Sequence, residues 1–319
     1  MMRTVRAPTW WWVAAAVWAF ALPPLAGETG GLSSGADRAS GGVIRLGIGP
    51  NTWTGVNEND AEAAIRAWAR SILAREGIRA DAEVRRFNRP EGLAEAFGAG
   101  QLDCAALGTP DFLSIEARVG ADSFYAAERE GEIAVRYVLL VRKNGAIHAW
   151  RDLRGRRLII PRTIETCLAR AWLDLTCRGL GLGGGIDALC RVREVDKPMH
   201  AILPVFFGQA DAGLVTSNAF QVAAELNPQL RQRLGVLAVS PPVIPTVFIV
   251  NQTAGSSMVP VIERAIPRLP RDPKGRQILA LWQCDAIVRR PLSGLEATRD
   301  LWRRWKEGGV DSETPSPSR

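Results

Sequence analysis

Apolar positions along the chain follow two alternating periods. Short runs at Val43 to Ile48, Val84 to Phe87 and Arg157 to Ile160 predict strands. Between them, apolar residues recur at spacings of three and four, as in Ala61, Ile65, Trp68 and Ile72, and again in Leu168, Ala171, Trp172 and Leu175. Those spacings place one apolar stripe on a helix. Asn57 or Asn59 is placed to cap the first of these helices, and Asn88 with Glu91 reads as a capping box around Pro90 at a first helical position. Strands alternating with helices predict parallel sheets.

The pattern occurs twice. Gly100-Gln-Leu-Asp-Cys-Ala-Ala-Leu-Gly-Thr-Pro-Asp-Phe112 aligns without a gap on Gly208-Gln-Ala-Asp-Ala-Gly-Leu-Val-Thr-Ser-Asn-Ala-Phe220, at an offset of 108 residues. Each copy follows an apolar helical pattern that ends at glycine, then runs through a short apolar strand to small hydroxyl residues. A repeat this long is not a solenoid unit but a lobe. The expected fold is therefore α/β, with two similar lobes, each a mostly parallel sheet flanked by helices, joined by two hinge strands. The long apolar runs 133–141 and 243–250 are the expected hinges. Lobe one is expected over 43–132 and 251–308, and lobe two over 142–242. Asp103 and Asp211 occupy equivalent turns before their strands and read as structural.

The ends of the chain differ from this body. Arg3 and Arg6 precede an apolar run from Trp10 to Ala21 and a Pro-containing segment up to Gly27, the three parts of a secretory signal peptide over 1–27. A flexible lead is expected over 28–42 and a disordered tail over 309–319. The expected location is periplasmic or otherwise extracytoplasmic. The formal charge of +7 is spread among nearly as many acids as bases, which argues against nucleic acid as a partner. Arg299, Arg303, Arg304 and Lys306 read as the solvated face of a carboxy-terminal helix.

Five cysteines, Cys104, Cys167, Cys177, Cys190 and Cys284, permit disulfides in an exported chain, with Cys177 and Cys190 the favoured pair. With no CxxC and only His148 and His200, neither a zinc site nor any other metal site is expected. Gly179-Leu-Gly-Leu-Gly-Gly184 has dinucleotide-type glycine spacing but follows a helix instead of a strand, so it reads as a connection and no cofactor is expected. The absence of a nucleophile elbow, a P-loop or a paired-carboxylate loop makes an enzyme the weaker reading, and His200 reads as a structural histidine.

Ligands of open α/β sheets bind beyond the carboxyl ends of strands, where helix N-termini present free N–H groups. Four loops meet that description. Their candidate ligand-binding residues are Asn51, Trp53 and Thr54; Gly108, Thr109 and Pro110; Arg162, Thr163 and Thr166; and Thr216 with Ser217. Trp53 offers a stacking surface, and Arg162 a bidentate donor for an anion.

Asp152-Leu-Arg-Gly-Arg-Arg-Leu158, Gly208-Gln-Ala-Asp-Ala-Gly213 and Gly100-Gln-Leu-Asp103 with Gly108-Thr-Pro110 are similar to segments of the phosphonate-type (phosphate/phosphite/phosphonate) substrate-binding proteins of ABC transporters. These belong to the type II periplasmic binding protein superfamily, and the likeness runs from about Val43 to Trp305. The resemblance implies a monomer that closes on a small anionic or zwitterionic ligand and delivers it to an ABC permease. It places ligand contacts on Trp53, on Thr109 with Pro110, and on Thr163 with Thr166. Two departures bear on the ligand: Lys197-Pro198-Met199 stands where phosphonate binders carry a histidine, and Glu165 lies in the loop that opens lobe two. The alternatives are a ligand-sensing module for a membrane sensor kinase and an enzyme on the same scaffold.

Overall fold

The structure, a computed structural model, describes residues 42–50, 52, 57–75 and 80–309. The expected signal peptide, residues 28–41 of the lead and 310–319 of the tail lie outside the described residues.

The first lobe opens with β1 (Gly42–Ile48) and α1 (Glu58–Arg75), which turns Ala61, Ile65 and Ala69 into the core. Asn57 is the cap, its Oδ1 accepting from the amides of Asn59 at 3.0 Å and Asp60 at 3.2 Å. After β2 (Ala80–Arg86), α2 (Pro90–Gly98) starts at the expected proline. The expected Asn88–Glu91 capping box does not form, because Arg89 occupies the N-cap and no side chain closes the turn. Pro90 itself lacks an N–H and presets the helical φ, so less is left for a cap to satisfy. Next come β3 (Cys104–Gly108), α3 (Thr109–Val119) and β4 (Ser123–Glu128).

The chain then builds the second lobe: β5 (Tyr137–Arg142), β6 (Arg157–Pro161), α4 (Ala169–Gly179), α5 (Ile186–Leu189), β7 (Arg191–Val195) and α6 (Met199–Phe206). It continues through β8 (Ala212–Thr216), α7 (Ser217–Leu226), α8 (Pro228–Arg233) and β9 (Leu234–Val239). Between α4 and β7, Gly181 and Gly183 take φ of 65° and 94°, as a glycine-rich connection requires. The return to the first lobe adds β10 (Thr246–Val250), α9 (Met258–Ala265), α10 (Pro273–Leu281), β11 (Ala286–Pro291) and α11 (Glu296–Gly309).

The strands form two sheets, ordered β11-β4-β10-β3-β1-β2 and β7-β6-β8-β5-β9. The parallel pairings are β2-β1-β3 in one and β7-β6-β8 in the other, while β10 and β5 pair antiparallel with their neighbours. Both sheets are thus mixed. The reason lies in the path of the chain: β5 and β10 receive it from the other lobe, so they start at the cleft where β1, β3, β6 and β8 end. Most of each expected hinge run is thus a strand inside a sheet, β5 in the second lobe and β10 in the first. The crossing itself is narrow, with Val135 and Val243 exchanging backbone hydrogen bonds of 2.8 and 2.9 Å.

The repeat reappears as a shared brace. Asp103, fully buried, accepts from the Arg45 amide at 2.7 Å and from its guanidinium at 2.8 Å. Asp211 accepts from the Arg157 amide at 2.9 Å and from its Nε at 3.1 Å. Asp103 ties the turn before β3 to the middle of β1, and Asp211 ties the turn before β8 to the first residue of β6. Cys177 and Cys190, the favoured disulfide pair, stand as free thiols in the second-lobe core.

Helix α11 spans both lobes instead of belonging to the first alone. Thr298 Oγ1 accepts from the Ile244 amide at 3.0 Å and Arg299 pairs with Glu116 of α3 at 2.6 Å. One turn later Leu301, Trp302 and Trp305 pack into the second core, and Trp305 Nε1 donates to Asp174 of α4 at 2.8 Å. Arg303 and Arg304 face solvent. Among the described residues no helix is long and apolar enough to cross a membrane.

Candidate functional site

Between the sheets lies a cavity of about 810 Å³ that both lobes line. On the second-lobe wall it is bordered by the turn after β6 with Thr163, Ile164 and Glu165, by the start of α7 with Thr216, Ser217 and Asn218, and by Lys197 and Pro198 before α6 with Met199 at its first position. The first lobe contributes Thr52, Ala127, Thr246 and Trp282.

The candidate residues divide into three groups. Thr163, Thr216 and Ser217 reach the cavity. Thr216, however, is the N-cap of α7, its hydroxyl accepting from the Ala219 amide at 3.2 Å. Gly108, Thr109, Pro110, Arg162 and Thr166 are not part of the cavity wall. Asn51, Trp53 and Thr54 lie outside the described residues, although Thr52 between them is buried at the cavity with its hydroxyl donating to Gly49 O at 2.9 Å.

The loops of the first two of these outlying sets meet each other. A Cβ added at Gly108 would lie 3.3 Å from Ile164 Cδ1, so the isoleucine of the second lobe sits over the start of α3. Cys167 Sγ reaches Pro245 O at 3.4 Å beside it. Thr109 is fully buried and its hydroxyl has no hydrogen-bond partner, while its amide donates to Pro245 O at 2.8 Å. Burial, with Glu91 as a lesser cause, pushes the Asp111 carboxyl on the same turn up to about 6. Thr166 spends its hydroxyl within its own turn, donating to Pro161 O and accepting from the Thr163 amide at 3.1 Å. Arg162 is exposed, and its amide donates to Val195 O at 2.7 Å. His200, expected to be a structural histidine, is exposed on the first turn of α6, where the short helix leaves its outer face to solvent.

Charged residues dominate the rim. Arg129, at the end of β4, pairs across the lobes with Glu165 at 3.4 Å, and its Nε donates to Gln283 O at 2.6 Å. Tyr137, whose hydroxyl burial holds well above its usual range, donates to the Glu165 carbonyl at 2.9 Å and fixes that turn. Glu165 therefore faces the cavity neutralised by an arginine. Arg136 and Lys197 line it as cations, and Glu130, Glu132 and Asp196 as acids. The Arg136 carbonyl accepts from the Ser217 amide at 2.8 Å, which brings the main chain of residue 136 to the N-terminus of α7.

Arg129, Arg136 and Trp282 are cavity residues that loop-by-loop reading passed over. Arg136 leaves one signal, a single charge between the apolar runs Ile133 to Val135 and Tyr137 to Val141. Trp282 leaves none.

Solved structures share this fold. XAC2383 of Xanthomonas citri bound to ATP superposes with a TM-score of 0.60 at 16% identity, covering 85% of this chain and 99% of that one. A binding protein component of an ABC phosphonate transporter from Pseudomonas aeruginosa gives 0.58 at 13% identity, covering 86% and 90%. PhnD1 of Prochlorococcus marinus in complex with methylphosphonate gives 0.57 at 14%, covering 83% and 98%. No curated protein matches the sequence. The family described as "ABC transporter, phosphonate, periplasmic substrate-binding protein" matches residues 56–290, well over half of the chain. With the two mixed sheets and the cleft between them, this match makes the chain a member of the phosphonate-type periplasmic substrate-binding protein family.

Proposed function

We propose that this protein is an exported, non-enzymatic solute-binding protein that acts as a monomer, closes its lobes on a small anionic or zwitterionic solute, and presents the closed form to an ABC permease. The observation that carries this reading is the cavity of about 810 Å³ walled by both sheets. It falls within the range of roughly 300–1,000 Å³ typical of small-molecule sites. Movement about the narrow crossing at Val135 and Val243 would change the width of that cavity.

The test pairs thermal shift with small-angle scattering on the mature chain across a broad solute panel. A bound solute raises the melting temperature by mass action and reduces the radius of gyration as the lobes close. A ligand that stabilises the chain with no compaction would overturn closure, and a panel with no stabilising member would overturn solute binding.

A further inference from the structure

We infer that the cavity selects an extended zwitterion, with an anionic and a cationic group separated by an apolar middle, instead of a compact oxyanion. This rests on the solute-binding reading and narrows it.

The first line of argument is that the seat for a compact anion is already occupied. A small oxyanion held between the lobes needs unspent N–H groups at a helix start and hydroxyls aimed at it. At the start of α3 the Thr109 amide is spent on Pro245 O, and Pro110 has no N–H. Asp111 adds a carboxyl to the same turn, and Ile164 covers Gly108 from the other lobe. On the facing turn, Thr166 is consumed internally. The two loops touch each other at the start of α3.

The second is the charge that remains once the Arg129–Glu165 pair is set aside. Arg136 and Lys197 face the cavity without side-chain partners among the described residues, and so do Glu130, Glu132 and Asp196. Both signs are present, with acids in the majority, so a compact dianion gains little here whereas a zwitterion can satisfy both ends. Glu132 and Arg136 are four residues apart on the segment that crosses between lobes, a separation of at most about 14 Å. Arg136, beside the start of α7 with Ser217 and Asn218, suits a carboxylate; Glu132 suits an ammonium. Trp282, Met199 and Ile133 supply apolar wall for what lies between.

Isothermal titration of the mature chain with two probe sets tests this. One set is methylphosphonate and inorganic phosphate; the other is 5-aminopentanoate, 6-aminohexanoate and 7-aminoheptanoate. At least one extended zwitterion should bind no less than tenfold more tightly than either oxyanion. Amidating its carboxylate should weaken binding at least tenfold in the native protein and by less than threefold in Arg136→Ala, with N-acetylation and Glu132→Gln showing the matching pattern. Both positions are on the exposed rim, so the variants should keep the native circular dichroism spectrum. Tighter binding of methylphosphonate or phosphate would overturn this inference and leave solute binding standing, as would equal loss on amidation in Arg136→Ala. Silence from both sets would overturn the extended zwitterion, whereas the broad panel above decides solute binding itself.

Discussion

Asp103→Ala and Asp211→Ala delete the same carboxylate from equivalent turns of the two lobes, yet their costs should differ because the burial differs. Asp103 is 0% exposed and its partner Arg45 34%, whereas Asp211 is 17% and Arg157 55%. Removing Asp103 leaves the Arg45 amide and a half-buried guanidinium without an acceptor, a loss of about 3 kcal/mol at the lower end for broken buried pairs, since Arg45 can still reach water. Removing Asp211 strips one amide and one exposed guanidinium that water readily serves, a loss of about 1 kcal/mol. The difference of about 2 kcal/mol is roughly thirtyfold in a folding equilibrium. Two-lobed chains need not unfold in one step, so peptide-resolved hydrogen exchange is the suitable assay, reading β1 and β3 separately from β6 and β8. Asp103→Ala should lose protection in β1 and β3 roughly thirtyfold more than Asp211→Ala loses in β6 and β8. If Asp211→Ala cost its own strands as much as Asp103→Ala costs its strands, burial would not be what sets the strength of the brace.

Three further outcomes follow from the geometry. The Asp111 carboxyl is raised in the folded chain to about 6 from an unfolded value near 3.9, so the folded state holds the extra proton between those values and stability falls as pH rises through them. With the partial exposure of Asp111 discounted, Asp111→Asn should flatten the denaturation-midpoint profile between pH 4 and pH 6 by about 1 kcal/mol, and an unchanged slope would refute the burial argument. Trp305→Phe keeps an aromatic ring against the second core but removes the donor to Asp174, which retains the Ile186 amide at 2.7 Å; urea denaturation should show a loss of about 1 kcal/mol. Gly213→Ala would place a Cβ 2.6 Å from the Ala201 carbonyl oxygen of α6, and the overpacking should cost about 1–3 kcal/mol by the same measurement.

Gly213 also shows how far the repeat could be read. Its counterpart at the offset of 108 is Ala105, fully buried in β3, so the two copies agree in helix, turn and strand while differing in how closely a helix approaches the strand. The paired lobes were legible because glycine after an apolar helix and an aspartate before an apolar strand are local features that recur wherever the same turn is built. The orientation of β5 and β10 was not, because it follows from the lobe the chain arrives from and leaves no mark on apolar periodicity. The same division runs through the site. Thr163 follows a strand and Ser217 opens a helix, and loop position alone pointed to them, whereas Lys197–Met199 entered only through the family resemblance. Arg129 follows β4 and Arg136 lies in the crossing, and both reach a cavity that exists only because two lobes meet. Ile164 carries the sharpest consequence: an apolar side chain in a hydroxyl-rich loop looks incidental in sequence. Placed over Gly108 it turns two loops that read as facing a ligand into loops that face each other.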